Sequence, residues 1–149
     1  MSTGDAFGKS NVIAQTAVVD GGLRFISEEQ KERARDKMRA IVADNLPHTS
    51  AEISFIDSYP AMGPTEGNKN LLKILDQVSL DLGQGGVEAY DPGRRGAADV
   101  SFVAQYVDCL DGLGAMGNRA HTPEETVNIN TIEALTHRTA IFIYRLINQ

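Results

Sequence analysis

The stretch "SYPAMGPTEGN", Ser58 to Asn68, decides how this chain divides. Two prolines and two glycines fall within it. Proline fixes φ and lacks an amide donor, and glycine enters conformations closed to other residues, so a linker is predicted here. Residues 1–58 form one part on this reading and residues 59–149 the other.

Upstream, "SNVIAQTAVVDGGLRF" (Ser10 to Phe25) is rich in β-branched residues. It reads as a long strand or hairpin arm, with a bulge at Gly21-Gly22. Ser27 and Gln30 make a capping box that opens a helix. Ala34, Met38, Ile41 and Val42 recur at helical spacing as its apolar stripe, and Glu29 can pair with Arg33 on the wet face. "SAEISFI" (Ser50 to Ile56) alternates apolar and polar residues, as a strand with one buried face does. The first part is therefore expected to be β-α-β.

Downstream, Asn68 is predicted to cap a second helix with the stripe Leu71, Leu72, Leu75, Val78 and Leu82, closed by Gly83. "VEAYDPGRRGAADVSFVAQYV" reads as a short strand, a glycine-rich turn and a helix that Asp99 caps. "DCLDGLGAMG" reads as a buried strand end entering a loop. In "GNRAHTPEET", Thr122 can cap a helix, Pro123 suits its first position and Glu125 can reach back. A last helix is expected from about Asn130, with Glu133 as capping partner and Ile132, Leu135, Thr139, Phe142, Ile143 and Leu146 on its buried face. Neither part holds enough elements to cover both faces of a sheet, so the chain reads as a portion of something larger.

The bulk numbers narrow the function classes. The 149 residues are 42% hydrophobic and 23% charged, which is the composition of one ordinary globular domain. A net charge of −6, with lysines and arginines scattered among acids, argues against a nucleic-acid partner. No apolar run is long enough to cross a bilayer and the N-terminus lacks a signal-peptide core, so no membrane is expected and a cytoplasmic location is. The single cysteine, Cys109, excludes an internal disulfide and reads as a small buried apolar residue.

Few motifs carry chemistry. Gly112, Gly114 and Gly117 match a dinucleotide-binding spacing, but that motif needs a helix starting inside it and none is predicted before Thr122. A loop passing close to something is the plainer reading. His121 sits in a constrained loop behind a strand end, where open α/β sheets carry their sites; it is either a metal ligand or a surface or internally satisfied histidine. His48 and His137 are read as exposed. Arg24 and Asn11 are, on their residues alone, a strand-end charge and a polar strand residue. Arg94 and Arg95 either bind an anion or are solvated.

Taken together and in order, "SNVIAQTAVVDGGLRF", "SYPAMGPTEGN", "GRRGAADVSFVA" and "DGLGAMGNRAHTPEETV" resemble the C-terminal half of the zinc carboxypeptidase, aminoacylase and succinyl-diaminopimelate desuccinylase family. The resemblance covers nearly the whole chain. It implies an α/β fold: the β-α-β half of a ferredoxin-like lid, then the C-terminal part of a three-layer α/β/α zinc-peptidase domain, incomplete as a stand-alone fold. It implies hydrolysis of peptide or N-acyl amino acid amide bonds by an enzyme holding two zinc ions, homodimeric through the lid. It implies His121 as a zinc ligand, and Asn11 and Arg24 as the residues that hold the substrate's carboxylate. No catalytic residue falls in this chain on that comparison. The general-base glutamate and the other ligands belong to the preceding half, so the 149 residues are expected to be inactive alone.

The chain departs from the family at two places. The usual Gly-Gly-x-Ser/Thr-Asp turn is "RRGAAD" here, with Arg95 at a glycine position, Ala98 for the hydroxyl residue and Asp99 kept. Tyr59 stands where some carboxypeptidases carry an arginine, which points away from a glutamate-like substrate. The alternative to an enzyme is a non-catalytic remnant or dimerisation module whose open sheet edge pairs with another chain.

Overall fold

A computed structural model describes residues 2–4, 11 and 13–148. Within them the protein is a mixed α/β chain with three α-helices and two short two-stranded ladders. It separates into two compact units, Met1–Glu52 and Ile53–Gln149. The division falls ahead of the proline- and glycine-rich stretch, whose Thr65 end is already the start of a helix.

In the first unit, strand β1 (Ser2–Gly4) pairs antiparallel with β2 (Ala17–Val19), with Thr3 opposite Val18. The long strand expected over Ser10 to Phe25 is thus reduced to its valine-rich centre; Ser10 and Val12 lie outside the described residues. Gly21 and Gly22 fall beyond the ladder rather than forming a bulge in it. Helix α1 (Glu28–Ala43) starts as expected: the Ser27 hydroxyl accepts from Gln30 N at 3.1 Å. The Gln30 carbonyl oxygen reaches back one residue further than a standard box, to Ile26 N at 2.9 Å. Ala34, Met38 and Val42 are half-buried but Ile41 is exposed, so the stripe is narrower than its spacing suggests. Residues 51–56 are not in a strand. Alternation tells which face a strand would bury, yet a strand exists only where a neighbour takes its N–H and C=O groups.

The second unit is built on two helices, α2 (Glu66–Asp81) and α3 (Asn130–Ile147). Thr65, not Asn68, caps α2: its hydroxyl accepts from Asn68 N at 3.0 Å. Both polar ends of the Asn68 side chain face other backbone, with its carbonyl oxygen taking Cys109 N at 2.8 Å. At the other end Gly83 adopts φ +68, and the Gly83 and Gln84 amides return to Leu80 and Ser79 carbonyls at 2.9 Å. That pair of hydrogen bonds closes the last turn, and the left-handed residue it needs carries no Cβ penalty in glycine.

Leu75, Val78 and Phe142 form the buried centre where α2 meets α3, ringed by Leu71, Ile74, Leu82, Val87, Leu110, Leu113, Ile141 and Leu146. Each large side chain fully withdrawn from water there contributes about 1.5–3 kcal/mol. Ile132 and Ile143, expected on the buried face of α3, are exposed. Ser79, fully buried, accepts from Arg138 Nη1 at 3.4 Å across the helix pair. Arg145 near the end of α3 pairs with Asp81 at the end of α2, 2.6 Å apart. Hydrogen bonds from Gln77 and Arg145 hold the Asp81 carboxyl below its ordinary range, offsetting an acid placed at the unfavourable end of a helix dipole.

The long connection between the helices is mostly irregular. The segment expected to be a strand and then a helix holds two 3₁₀ turns, Pro92–Arg94 and Asp99–Phe102. Asp99 is the first residue of the second turn and not its cap. Strands β3 (Gly117–Asn118) and β4 (Thr126–Val127) pair antiparallel as a small hairpin just ahead of α3. No helix of the described residues is long and apolar enough to cross a membrane.

Candidate functional site

The hairpin carries His121 at its tip, in place of the helix that Thr122-Pro123-Glu124-Glu125 was expected to open. Its base is pinned to α3. Asn128 N donates to the Met116 carbonyl at 2.8 Å, and Met116 N donates to the hydroxyl of Thr131, in the first turn of α3, at 3.0 Å. Gly117 lies so close to the Thr126 carbonyl oxygen that a Cβ there would collide with backbone. This is the close approach that the glycine loop suggested, and it is made to the chain's own partner strand.

The capping residues still act, but on a turn. Thr122 N and its hydroxyl both donate to the Arg119 carbonyl, at 3.2 and 2.8 Å. Glu125 N donates to the Thr122 carbonyl at 3.0 Å, while its carboxylate accepts from His121 N at 3.1 Å. Arg119 (φ +57) and His121 (φ +66) are both left-handed, a conformation that costs a non-glycine residue about 1–2 kcal/mol. The hydrogen bonds around the turn offset that cost, and the His121 side chain is exposed.

A zinc centre takes nitrogen, sulfur or carboxylate donors in tetrahedral arrangement, with three from protein when it is catalytic. One exposed imidazole fits one of those positions. Among the described residues, no group of three histidines, cysteines, aspartates or glutamates gathers to complete it. His48, itself left-handed at φ +64, and His137 on α3 are both exposed, as expected of them.

Asn11 and Arg24 belong to the first unit, and His121 to the second. Asn11 stands in an exposed turn ahead of β2, and Arg24 is exposed in the irregular segment after it. Neither is borne by a strand, contrary to the expectation of a polar strand residue at Asn11 and a strand-end charge at Arg24. Cys109 is buried, its thiol 3.2 Å from the Val107 carbonyl, in keeping with a small packing residue. Gly112 adopts φ +74 in a loop where no helix starts, so a dinucleotide motif does not form.

Around the departing turn, Arg95 donates to the Met62 carbonyl and Arg94 lies over the Tyr90 ring, 5.5 Å from its centroid. Both arginines are thereby engaged within the chain. Tyr59 donates its hydroxyl to Asp99 Oδ1 at 3.1 Å and tilts against Phe102, ring centroids 5.2 Å apart. The hydrogen bond and the negative charge of Asp99 raise the Tyr59 phenol above its usual value. In the sequence Tyr59 is a departure from the family pattern and Asp99 a kept residue, and no periodicity links residues so far apart. Compared with known proteins, the chain matches no family model, no curated protein and no solved structure.

Proposed function

We propose that this chain supplies the C-terminal portion of a metal-dependent amidohydrolase that cleaves peptide or N-acyl amino acid bonds. The observation that carries the reading is His121: an exposed imidazole on a turn closed by its own hydrogen bonds, at the tip of a hairpin tied to α3. The ordered resemblance of the sequence motifs supports it. Zinc supplies Lewis acidity toward a scissile carbonyl. On this reading Asn11 and Arg24 bind the substrate's carboxylate, for which an amide donor and a guanidinium fork are suited. The remaining donors and the general base come from polypeptide outside these 149 residues. Dimerisation through the lid belongs to the complete enzyme.

The test is zinc quantification on the chain alone and mixed with a polypeptide carrying the complementary N-terminal portion of such an enzyme. The chain alone is expected to hold zinc weakly or not at all and to hydrolyse nothing. The mixture is expected to bind zinc stoichiometrically and to turn over an N-acyl amino acid. His121→Ala should abolish both in the mixture; unchanged stoichiometry and rate in that variant would refute the assignment.

A non-catalytic pairing module is the second reading. It is favoured by the first unit, where Val19 of β2 and nearby Ile13 are 76% and 92% exposed beside a two-stranded ladder. Such an edge recruits strands. Tight association with the complementary portion, without zinc and without turnover, distinguishes this reading from the first.

A further inference from the structure

We propose that Glu125 is the positioning residue of His121: its carboxylate holds the histidine's backbone in the left-handed conformation that sets where the imidazole points. The proposal rests on the amidohydrolase reading for its purpose, and on the hairpin geometry for its physical content. His121 has φ +66, two residues after a second left-handed residue, Arg119. Of the hydrogen bonds that close this turn, those at Thr122 return to Arg119 and the Glu125 amide returns to Thr122. The bond made to the backbone of His121 itself comes from Glu125 Oε2, which accepts from His121 N at 3.1 Å.

An ionised acceptor makes this bond stronger than a neutral one would. Fixing the amide fixes the peptide plane ahead of His121, and with it the Cα–Cβ direction on which the ring is mounted. A ligand in an unfavoured backbone conformation drifts unless something beyond its own turn restrains it. Glu125 also lies next to β4, so the restraint is anchored in the paired part of the hairpin and not only in the loop. Glu124, its neighbour, is exposed and serves as the matched control.

The experiment has two readouts on the full chain. In the isotope-labelled protein, amide exchange at His121 is expected to accelerate about tenfold in Glu125→Ala. Glu125→Gln, which keeps an acceptor oxygen, should stay within about twofold of the unaltered chain, and Glu124→Ala should not differ. With the complementary portion present, zinc affinity should fall about tenfold or more in Glu125→Ala and recover in Glu125→Gln. An unchanged exchange rate in Glu125→Ala, or zinc bound with equal affinity by the unaltered and alanine proteins, overturns the proposal. If exchange responds as expected while no combination binds zinc, the clamp stands and the amidohydrolase reading alone fails.

Discussion

Thr65 and Thr122 stand at the heads of two similar stretches, Thr-Glu-Gly-Asn and Thr-Pro-Glu-Glu, and their fates differ. Behind Thr65 the chain makes sixteen residues of α-helix; behind Thr122 it turns back and pairs with the strand it has just left. Both threonines engage the backbone. Thr65 accepts from an amide three residues on, and Thr122 donates to a carbonyl three residues back. What separates the two is the sequence that follows. Leu71, Leu75 and Val78 bring a stripe onto α3, whereas the residues after Glu125 are Thr126, Val127 and Asn128, with no apolar repeat at helical spacing before α3 begins. A cap contributes about 1 kcal/mol. A buried stripe contributes several times that. Local start signals therefore decide where a helix begins once packing has decided that there is one.

The sharpest way to break the comparison is to remove the packing. Phe142→Ala empties the centre of the helix pair and is expected to cost about 3 kcal/mol, read by denaturant unfolding followed through helical circular dichroism. The pinned hairpin should loosen with it, because Met116 is tied to Thr131 on α3. Retention of full stability would mean that α2 and α3 do not depend on each other.

Next in size is Gly117→Ala. Its new Cβ would meet a backbone carbonyl of the partner strand, which cannot swing away as a side chain can. The strain is expected to be about 1–3 kcal/mol, expressed as opening of the hairpin with the helix pair kept. Cross-strand proton contacts between Gly117 and Val127 should disappear while helical signal persists.

The smallest effects separate the two threonines. Thr65→Ala should destabilise α2 by about 1 kcal/mol. Thr122→Ala should cost nearer 0.5 kcal/mol, because its hydroxyl adds a second donor to a carbonyl already bonded by the Thr122 amide, and should leave helix content unchanged. Equal loss of helicity from both would restore a helical role to the second threonine.

The helices were legible because their signals are local and repeated. Ser27, the stripe on α2 and the closing Gly83 can all be read within a few residues. The hairpin was not legible, since the Thr-Pro-Glu-Glu signal is satisfied equally well by a turn. "SAEISFI" alternates correctly and still forms no strand, because alternation states a preference for a face and supplies no neighbour. The histidine was found by its setting of glycines and capping residues, but the setting proved to be a β-turn tip. Glu125 was found as a capping residue, and its real target, one residue earlier than a capping box would choose, became visible only in three dimensions. The Tyr59–Asp99 bond spans forty positions of sequence, beyond the reach of any local pattern.

The start of α2 has a consequence for how this sequence is free to change. The Asp108 carboxylate rests over Gly67, in space that any side chain at position 67 would claim, and Thr65 reaches the same carboxylate at 3.4 Å. Gly67 sits in the first turn, where alanine would otherwise favour the helix. A Cβ at position 67 would push the Asp108 side chain aside and with it the contact to Thr65, so the residue at 67 and the rotamer at 108 are coupled. Two sites with nothing in common along the chain thus compete for one small volume.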